Sequence, residues 1–141
     1  MIGDDLRTRS RQFAIDVVAL CIALGQSDVG RVVKSQLLRA ATGTAANYRA
    51  ACRSRSAREF ASRLSVCVEE VDEAELWLDI IETTGLGPIE TVQQLRSEAT
   101  QLRAIFARSR TTVLENAARK KSGQSRKPRN AESGNRDVES A

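Results

Sequence analysis

Apolar and small residues recur along this chain at alternating steps of three and four, and four separate stretches carry such a stripe. Steps of three and four return to one face of an α-helix. The stripes are Leu6, Ser10, Phe13, Val17, Leu20 and Leu24; Val33, Leu37, Ala40, Thr44, Tyr48 and Ala51; Phe60, Leu64, Cys67, Val71, Ala74, Leu78 and Ile81; and Val92, Leu95, Ala99, Leu102, Phe106, Ser109 and Val113. Four amphipathic helices in one short chain predict an all-α fold, a four-helix bundle.

Local signals mark where these helices begin and end. The segment from Ser56 to Glu59 has the form of a capping box, which predicts that the third helix starts there. Gly85 is predicted to end that helix, and Pro88 is predicted to occupy the first position of the fourth. Residues 25–30 connect the first two helices. Connections this short predict an antiparallel, up-down-up-down bundle.

The helical pattern stops near Ala118, where the composition changes. Residues 120–129 are basic, rich in small polar residues, and lack apolar anchors. Such a segment cannot bury enough apolar surface to order itself. We therefore predict a bundle domain over residues 1–117 and a disordered basic C-terminal tail over residues 118–141. The tail either adds non-specific affinity for nucleic acid or only keeps the chain soluble.

Charges are segregated within the hairpin formed by the second and third helices. Between residues 31 and 63 the only acid is Glu59, whereas residues 64–90 contain eight acids and no basic residue. The net charge of the whole chain is +4. Segregated charge produces a field that selects what can dock and where. The pattern favours a binding and assembly protein whose partner is anionic.

The basic residues of this hairpin are the predicted nucleic-acid-binding residues, because the arginine guanidinium pairs bidentately with phosphate. They are Arg49, Arg53, Arg55, Arg58 and Arg63 around the turn, with Arg39, Lys34 and Arg31 as a second tier. Tyr48 is the one nearby ring that could stack on a base, so little base-specific recognition is expected. The alternative is that these arginines pair with the acidic stretch of another subunit.

Four apolar residues of the third helix fall outside its core stripe, namely Val66, Leu76, Trp77 and Ile80. A monomeric bundle keeps such positions polar, and tryptophan is a common anchor of protein interfaces. We predict that these residues form an oligomer interface. The alternative is that they are scattered surface residues without a partner.

The composition argues against catalysis. The chain has no histidine, which excludes histidine-activated nucleophiles, an imidazole base and zinc sites that need histidine. Cys21, Cys52 and Cys67 lack metal-binding or disulfide-framework spacing. No apolar run is long enough for a signal peptide or a membrane span. We expect a cytoplasmic protein with no enzymatic activity, no metal, no other cofactor and no membrane partner.

Several short motifs, taken in order, resemble the 23S ribosomal RNA intervening-sequence family, which includes the accessory proteins of diversity-generating retroelements. The motifs are Gln36-Leu37-Leu38-Arg39-Ala40-Ala41, Ala46-Asn47, Arg55-Ser56, Glu59-Phe60, Leu64-Ser65, Glu73 and Glu75. The chain departs from the family pattern at Gly43, which replaces a serine, at Ala50-Ala51, which replace a Glu-Gly pair, and at Glu69-Glu70, which replace small residues.

The resemblance implies a barrel-like homopentamer of four-helix bundles and, for the retroelement branch, binding to a reverse transcriptase and its RNA. Together with the basic turn, it predicts a non-enzymatic, oligomeric adaptor that binds RNA or DNA and is accessory to a reverse transcriptase. The alternative function is a structural, self-assembling bundle whose charges serve only subunit association and protein partners.

Overall fold

Four long helices account for almost all of the computed structural model, which describes residues 2–123, with side chains from residue 5 onward. They are α1 (Ile2–Ala23), α2 (Asp28–Ala51), α3 (Ala57–Thr84) and α4 (Ile89–Lys121). Each helix packs on its neighbours in the chain, and α4 also returns to α1. The predicted all-α, up-down-up-down four-helix bundle is confirmed. Among the described helices, none combines the length and apolar character that a membrane crossing needs.

The predicted stripes meet in a single core. Every stripe residue of α1 and α2 is buried, including the hydroxyl-bearing Ser10 and Thr44. Those two hydroxyls donate to backbone carbonyls one turn earlier in the same helix, at 3.1 and 2.8 Å, so neither buried polar group lacks a partner. In α3 the stripe is buried from Leu64 to Ile81, while Phe60 is partly buried and packs against the core.

The stripe of α4 is buried only as far as Phe106. Ser109 and Val113, predicted as core, are half-buried. Arg9 of α1 pairs with Glu98 of α4 at 2.6 Å, and α1 begins only seven residues before Arg9. Because the two helices are antiparallel, α4 loses its α1 neighbour about seven residues past Glu98. The last turns of α4 therefore have fewer helices to pack against.

The start of α3 is capped nearly as predicted. The Ser56 hydroxyl accepts the backbone N–H of Glu59 at 3.1 Å. The Glu59 carboxylate reaches back one residue further than in a standard capping box, because it accepts the N–H of Arg55 at 3.2 Å. These bonds satisfy backbone donors at the helix start and fix the path of the turn before it.

The end of α3 is a left-handed glycine turn. Gly85 has φ of 68°, and the Leu86 N–H donates to the Ile81 carbonyl at 3.2 Å, as in a Schellman motif. Pro88, predicted as the first residue of α4, is instead its N-cap. Its ψ of 116° is extended, so helical geometry begins only at Ile89.

The helical region also continues further than the predicted domain boundary at residue 117. α4 extends through Lys121, and its last turn carries Arg119, Lys120 and Lys121. Positive charges at a helix C-terminus are stabilised by the exposed carbonyls and the helix dipole. This basic sequence therefore extends the helix rather than ending it. The remainder of the predicted tail, residues 124–141, lies outside the described residues.

α2 and α3 approach each other closely at Gly43. A Cβ added to Gly43 would lie 2.9 Å from Glu70 Oε2, which is buried and has no hydrogen-bond partner among the described residues. A side chain at position 43 and the carboxylate at position 70 therefore compete for one space. The two departures from the family pattern at these positions contact each other across the α2–α3 interface.

We expect Gly43→Ala and Glu70→Ala to be coupled. In a helix interior, alanine is favoured over glycine by about 1 kcal/mol. Gly43→Ala should stabilise the wild-type background by less than this, because the Glu70 carboxylate must move, and should show the full gain in a Glu70→Ala background. A double-mutant cycle by chemical denaturation should give a coupling of at least ~0.5 kcal/mol. Additive effects would contradict the contact.

Gly85→Ala should lower the free energy of unfolding by about 1 kcal/mol, because an L-side chain is strained at φ of 68°. Gly25→Ala is the matched control, since a Cβ there meets nothing within 4 Å and the residue has no positive φ. The control should leave stability unchanged or slightly raised in the same denaturation experiment. Equal losses in both variants would show that the glycine turn is not the cause.

Candidate nucleic-acid interface

The turn between α2 and α3 is a tight structure that holds several arginines at one end of the bundle. The backbone N–H groups of Cys52, Arg53 and Ser54 donate to carbonyls in the last turn of α2, each at 3.0 Å. Only four residues, 52–55, separate the end of α2 from Ser56, which caps α3. Because its donors are satisfied locally, the turn is fixed by its own backbone and leaves the arginine side chains to solvent.

The turn arginines, defined as Arg49, Arg53, Arg55 and Arg58, are all exposed. None forms a salt bridge with another described residue. Arg63, also predicted for this surface, differs because its Nε lies 3.4 Å from Glu59 Oε1. The backbone hydrogen bond from Arg55, and then the Arg63 side chain, hold the pKa of Glu59 below its usual value. Four guanidinium groups thus remain available to an external anion.

The second tier of predicted residues lies elsewhere on α2. Arg31 is 3.5 Å from Asp28, and the Lys34 ammonium donates to a backbone carbonyl at 3.5 Å. Arg39 pairs with Glu73 of α3 at 2.7 Å. Arg31 lies about 27 Å from Arg49 along α2, at roughly 1.5 Å per residue. The structure therefore does not bring this tier to the turn and gives each member a local partner.

Two arginines of α4 compensate the acidic stretch within the same protomer. Arg96 donates to Glu82 at 2.9 Å and Arg103 donates to Glu75 at 2.9 Å, and each approaches a second carboxylate. The Arg96 hydrogen bond is the main reason that the pKa of Glu82 is lowered. Sequence reasoning missed these arginines, although Arg96 and Arg103 lie seven residues apart, as do Glu75 and Glu82, and this spacing places each two residues on one helix face. Positive charge at the turn is left without this compensation.

Further basic residues reach the same end of the bundle from α1 and α4. Arg7 and Arg11 of α1 line a cleft with Arg49 of α2. Arg110 of α4 donates to Ser65 near the start of α3 at 2.6 Å. These residues are far apart in the chain, and only the antiparallel packing places them together. No pattern in the sequence connected them to the turn.

The structure separates the predicted interface residues into two places. Val66, 37% exposed, lines a shallow pocket beside Arg58 and Arg63, close to the turn. Leu76 is 53% exposed, whereas Trp77 and Ile80 are half-buried. Trp77 packs against the core. Val66 therefore belongs to the basic end of α3, and the other three lie toward its opposite end.

An exposed apolar residue on α2 lies near the three residues at the far end of α3. Val32 is 60% exposed and lies seven residues before Arg39, hence on the same side of α2. Trp77 and Ile80 follow Glu73, the partner of Arg39, by four and seven residues. Because α2 and α3 are antiparallel, Val32 and the two α3 residues lie on the same side of the Arg39–Glu73 ion pair, toward the start of α2 and the end of α3. Val32, Leu76, Trp77 and Ile80 are called the apolar patch below.

The cysteines are unlike a reactive or metal-binding set. Cys21 and Cys67 are buried, and Cys52 is exposed. Burial raises the pKa of the Cys67 thiol to about 12 and also raises the pKa of Cys21, so both remain protonated. Across the part of the chain that the structure describes, no three acidic or cysteine side chains converge in a metal-binding group.

Comparison with known proteins places this arrangement in a family. A family model described as 23S rRNA-intervening sequence protein matches residues 5–108. This chain belongs to the 23S rRNA-intervening sequence protein family. A crystal structure of a protein with unknown function, from the S23 ribosomal protein family of Bacteroides thetaiotaomicron, aligns with a TM-score of 0.72 at 24% identity. The alignment covers 79% of this chain and 99% of that chain, and supports the fold.

Among curated proteins, no match to this chain is found. The family match begins near the start of α1 and ends in the middle of α4. It therefore includes the turn arginines and also Arg7 and Arg11, the two arginines of α1 that line the cleft with Arg49. It stops before Arg110 and the last turns of α4, where the core stripe also ends. The matched region is the part of the bundle in which all four helices pack together.

Proposed function

We propose that this protein is a non-enzymatic, oligomeric adaptor that binds RNA or DNA through backbone phosphates at the α2–α3 turn. The observation that carries the proposal is the set of four exposed turn arginines whose side chains form no salt bridge with another described residue. Arginine pairs well with phosphate oxygens in two-point geometry. The acidic stretch is compensated by arginines of α4, so the protomer itself does not neutralise the turn.

The proposed recognition is of phosphate and shape rather than of bases. Tyr48 is the ring that sequence reasoning considered for base stacking, but it is only 3% exposed. Its ring lies 5.5 Å from that of Phe106, inside the core. Stacking on an unpaired base needs an accessible aromatic face. Since Tyr48 serves the core, binding through this turn would depend on charge, tolerate many sequences and weaken with salt.

The proposed partners also include a reverse transcriptase of a diversity-generating retroelement and further copies of this chain. The reverse transcriptase and the pentameric state come from the resemblance of the sequence motifs. Self-association is supported by the apolar patch, because Val32 and Leu76 are exposed and apolar groups of this kind mark interaction surfaces. Val32 lies about 25 Å from Arg49 along α2, at roughly 1.5 Å per residue. Subunit association and phosphate binding would therefore use different ends of the bundle.

The triple variant Arg53→Glu, Arg55→Glu and Arg58→Glu should abolish RNA binding while leaving the oligomer intact. Fluorescence polarisation with a labelled structured RNA measures binding, and light scattering measures mass. For wild type, four phosphate contacts predict a slope of log affinity against log salt of about −3. A matched pair of single variants, Arg55→Glu and Arg31→Glu, separates position from net charge, and only the first should weaken binding.

Two outcomes contradict this proposal in different ways. Failure of the wild-type protein to bind RNA at low salt would exclude the adaptor function. Dissociation of the triple variant to monomers would show that the arginines serve subunit association, which is the alternative function. Far-ultraviolet circular dichroism should first show that the variant retains its helices.

The double variant Val32→Glu and Leu76→Glu should convert the proposed oligomer to monomers, because two charges would be buried at an apolar interface. Both side chains are more than half exposed, so the monomer should still fold. Ile22→Glu is the control, since Ile22 lies on α1 and is 80% exposed. Light scattering should show the control at wild-type mass. A monomeric wild type at micromolar concentration would exclude self-association through this patch.

A further inference from the structure

A cleft of about 530 Å³ lies between the first turns of α1 and the last turns of α2. Its lining consists of Arg7, Thr8, Arg11, Ala45, Ala46 and Arg49. Three guanidinium groups thus border one depression, and none of the described residues that line it is acidic. The two alanines of α2 present only methyl groups, which leave space above the backbone. Thr8 adds a hydroxyl that can donate a hydrogen bond.

The positive charges around this cleft repel one another. Arg7 and Arg11 are four residues apart on one helix, a spacing at which like charges destabilise the helix. Arg49 adds a third positive charge from the neighbouring helix. Arg11 and Arg49 form no salt bridge with any residue that the structure describes. An anion between Arg11 and Arg49 would reduce the repulsion between these positive charges.

Arg9 shows what a structural arginine on α1 looks like. It donates to the Glu98 carboxylate of α4 at 2.6 and 3.0 Å and to Gln101 at 2.8 Å. That ion pair ties α1 to α4. Arg11 lies two residues further along and lines the cleft on the α2 side, where the lining residues that the structure describes include no carboxylate. The contrast between neighbouring arginines separates a role in packing from a role in binding.

We propose that this cleft binds backbone phosphates of the nucleic acid that contacts the α2–α3 turn, with Arg11 and Arg49 as the principal ligands. The identity of the polyanion rests on the proposed function. Arg49 belongs to both surfaces, so the turn and the cleft form one continuous positive surface. α1 is then part of the interface, and a ligand spans two helices and the turn rather than touching the turn alone. Planar guanidinium forks on opposite walls suit the several oxygens of a phosphodiester.

The test compares two double variants of the full chain that remove the same charge. Arg11→Ala with Arg49→Ala removes the two cleft ligands. Arg31→Ala with Arg39→Ala removes two arginines of α2 that already pair with carboxylates. For structured RNA, the cleft variant should make the salt slope less steep by roughly 1.4 to 1.8, and the control should leave it unchanged.

Inorganic pyrophosphate provides a second readout that needs no RNA. At constant ionic strength set with chloride, pyrophosphate should raise the Tm of wild type and of the Arg53→Glu, Arg55→Glu, Arg58→Glu variant. It should not raise the Tm of the cleft variant. An unchanged salt slope, or a pyrophosphate shift that persists in the cleft variant, would overturn the cleft proposal. If either occurs while the Arg53→Glu, Arg55→Glu, Arg58→Glu variant fails to bind RNA, the proposed function stands without the cleft.

Discussion

The buried residues of α3 repeat every seven residues and pack against both α2 and α4. This packing is the constraint on which the rest of the structure depends. Burial of the α3 stripe contributes strongly to the stability of the bundle, since a fully buried Leu such as Leu64 or Leu78 contributes about 1.5 to 3 kcal/mol. The same seven-residue repeat aligns Glu75 and Glu82 with two arginines of α4. Exposed ion pairs add little stability. Their effect is to decide which charges remain uncompensated.

Antiparallel packing then gathers positive charge at one end. The end of α2, the turn and the start of α3 meet the first turns of α1, and Arg110 of α4 lies beside them. Asp72, Glu73, Glu75, Asp79 and Glu82 of α3 are engaged in ion pairs further along the helix, away from this end. A rigid bundle with one positive end presents guanidinium groups to a polyanion without reorganising, which lowers the entropy lost on binding. The apolar patch, further along α2 and α3, leaves the positive end accessible.

The departures from the family pattern have a tertiary explanation in one case. Gly43 and Glu70 occupy positions that face each other across the α2–α3 interface, and the absence of a side chain at Gly43 makes room for the carboxylate. A change at either position alone would crowd the interface or leave a gap. Ala51 is buried in the core, whereas no contact among the described residues explains Glu69 or Ala50.

The amino-acid sequence alone determined the four helices, most of the core, the glycine end of α3 and the turn arginines. These depend on periodicity and on nearest-neighbour chemistry, which act over one or two helical turns. Only the tertiary structure decided that Arg7 and Arg11 join Arg49 and that Arg96 and Arg103 compensate the acids. Those facts depend on the relative shift of antiparallel helices, which side-chain packing sets and which no local pattern encodes.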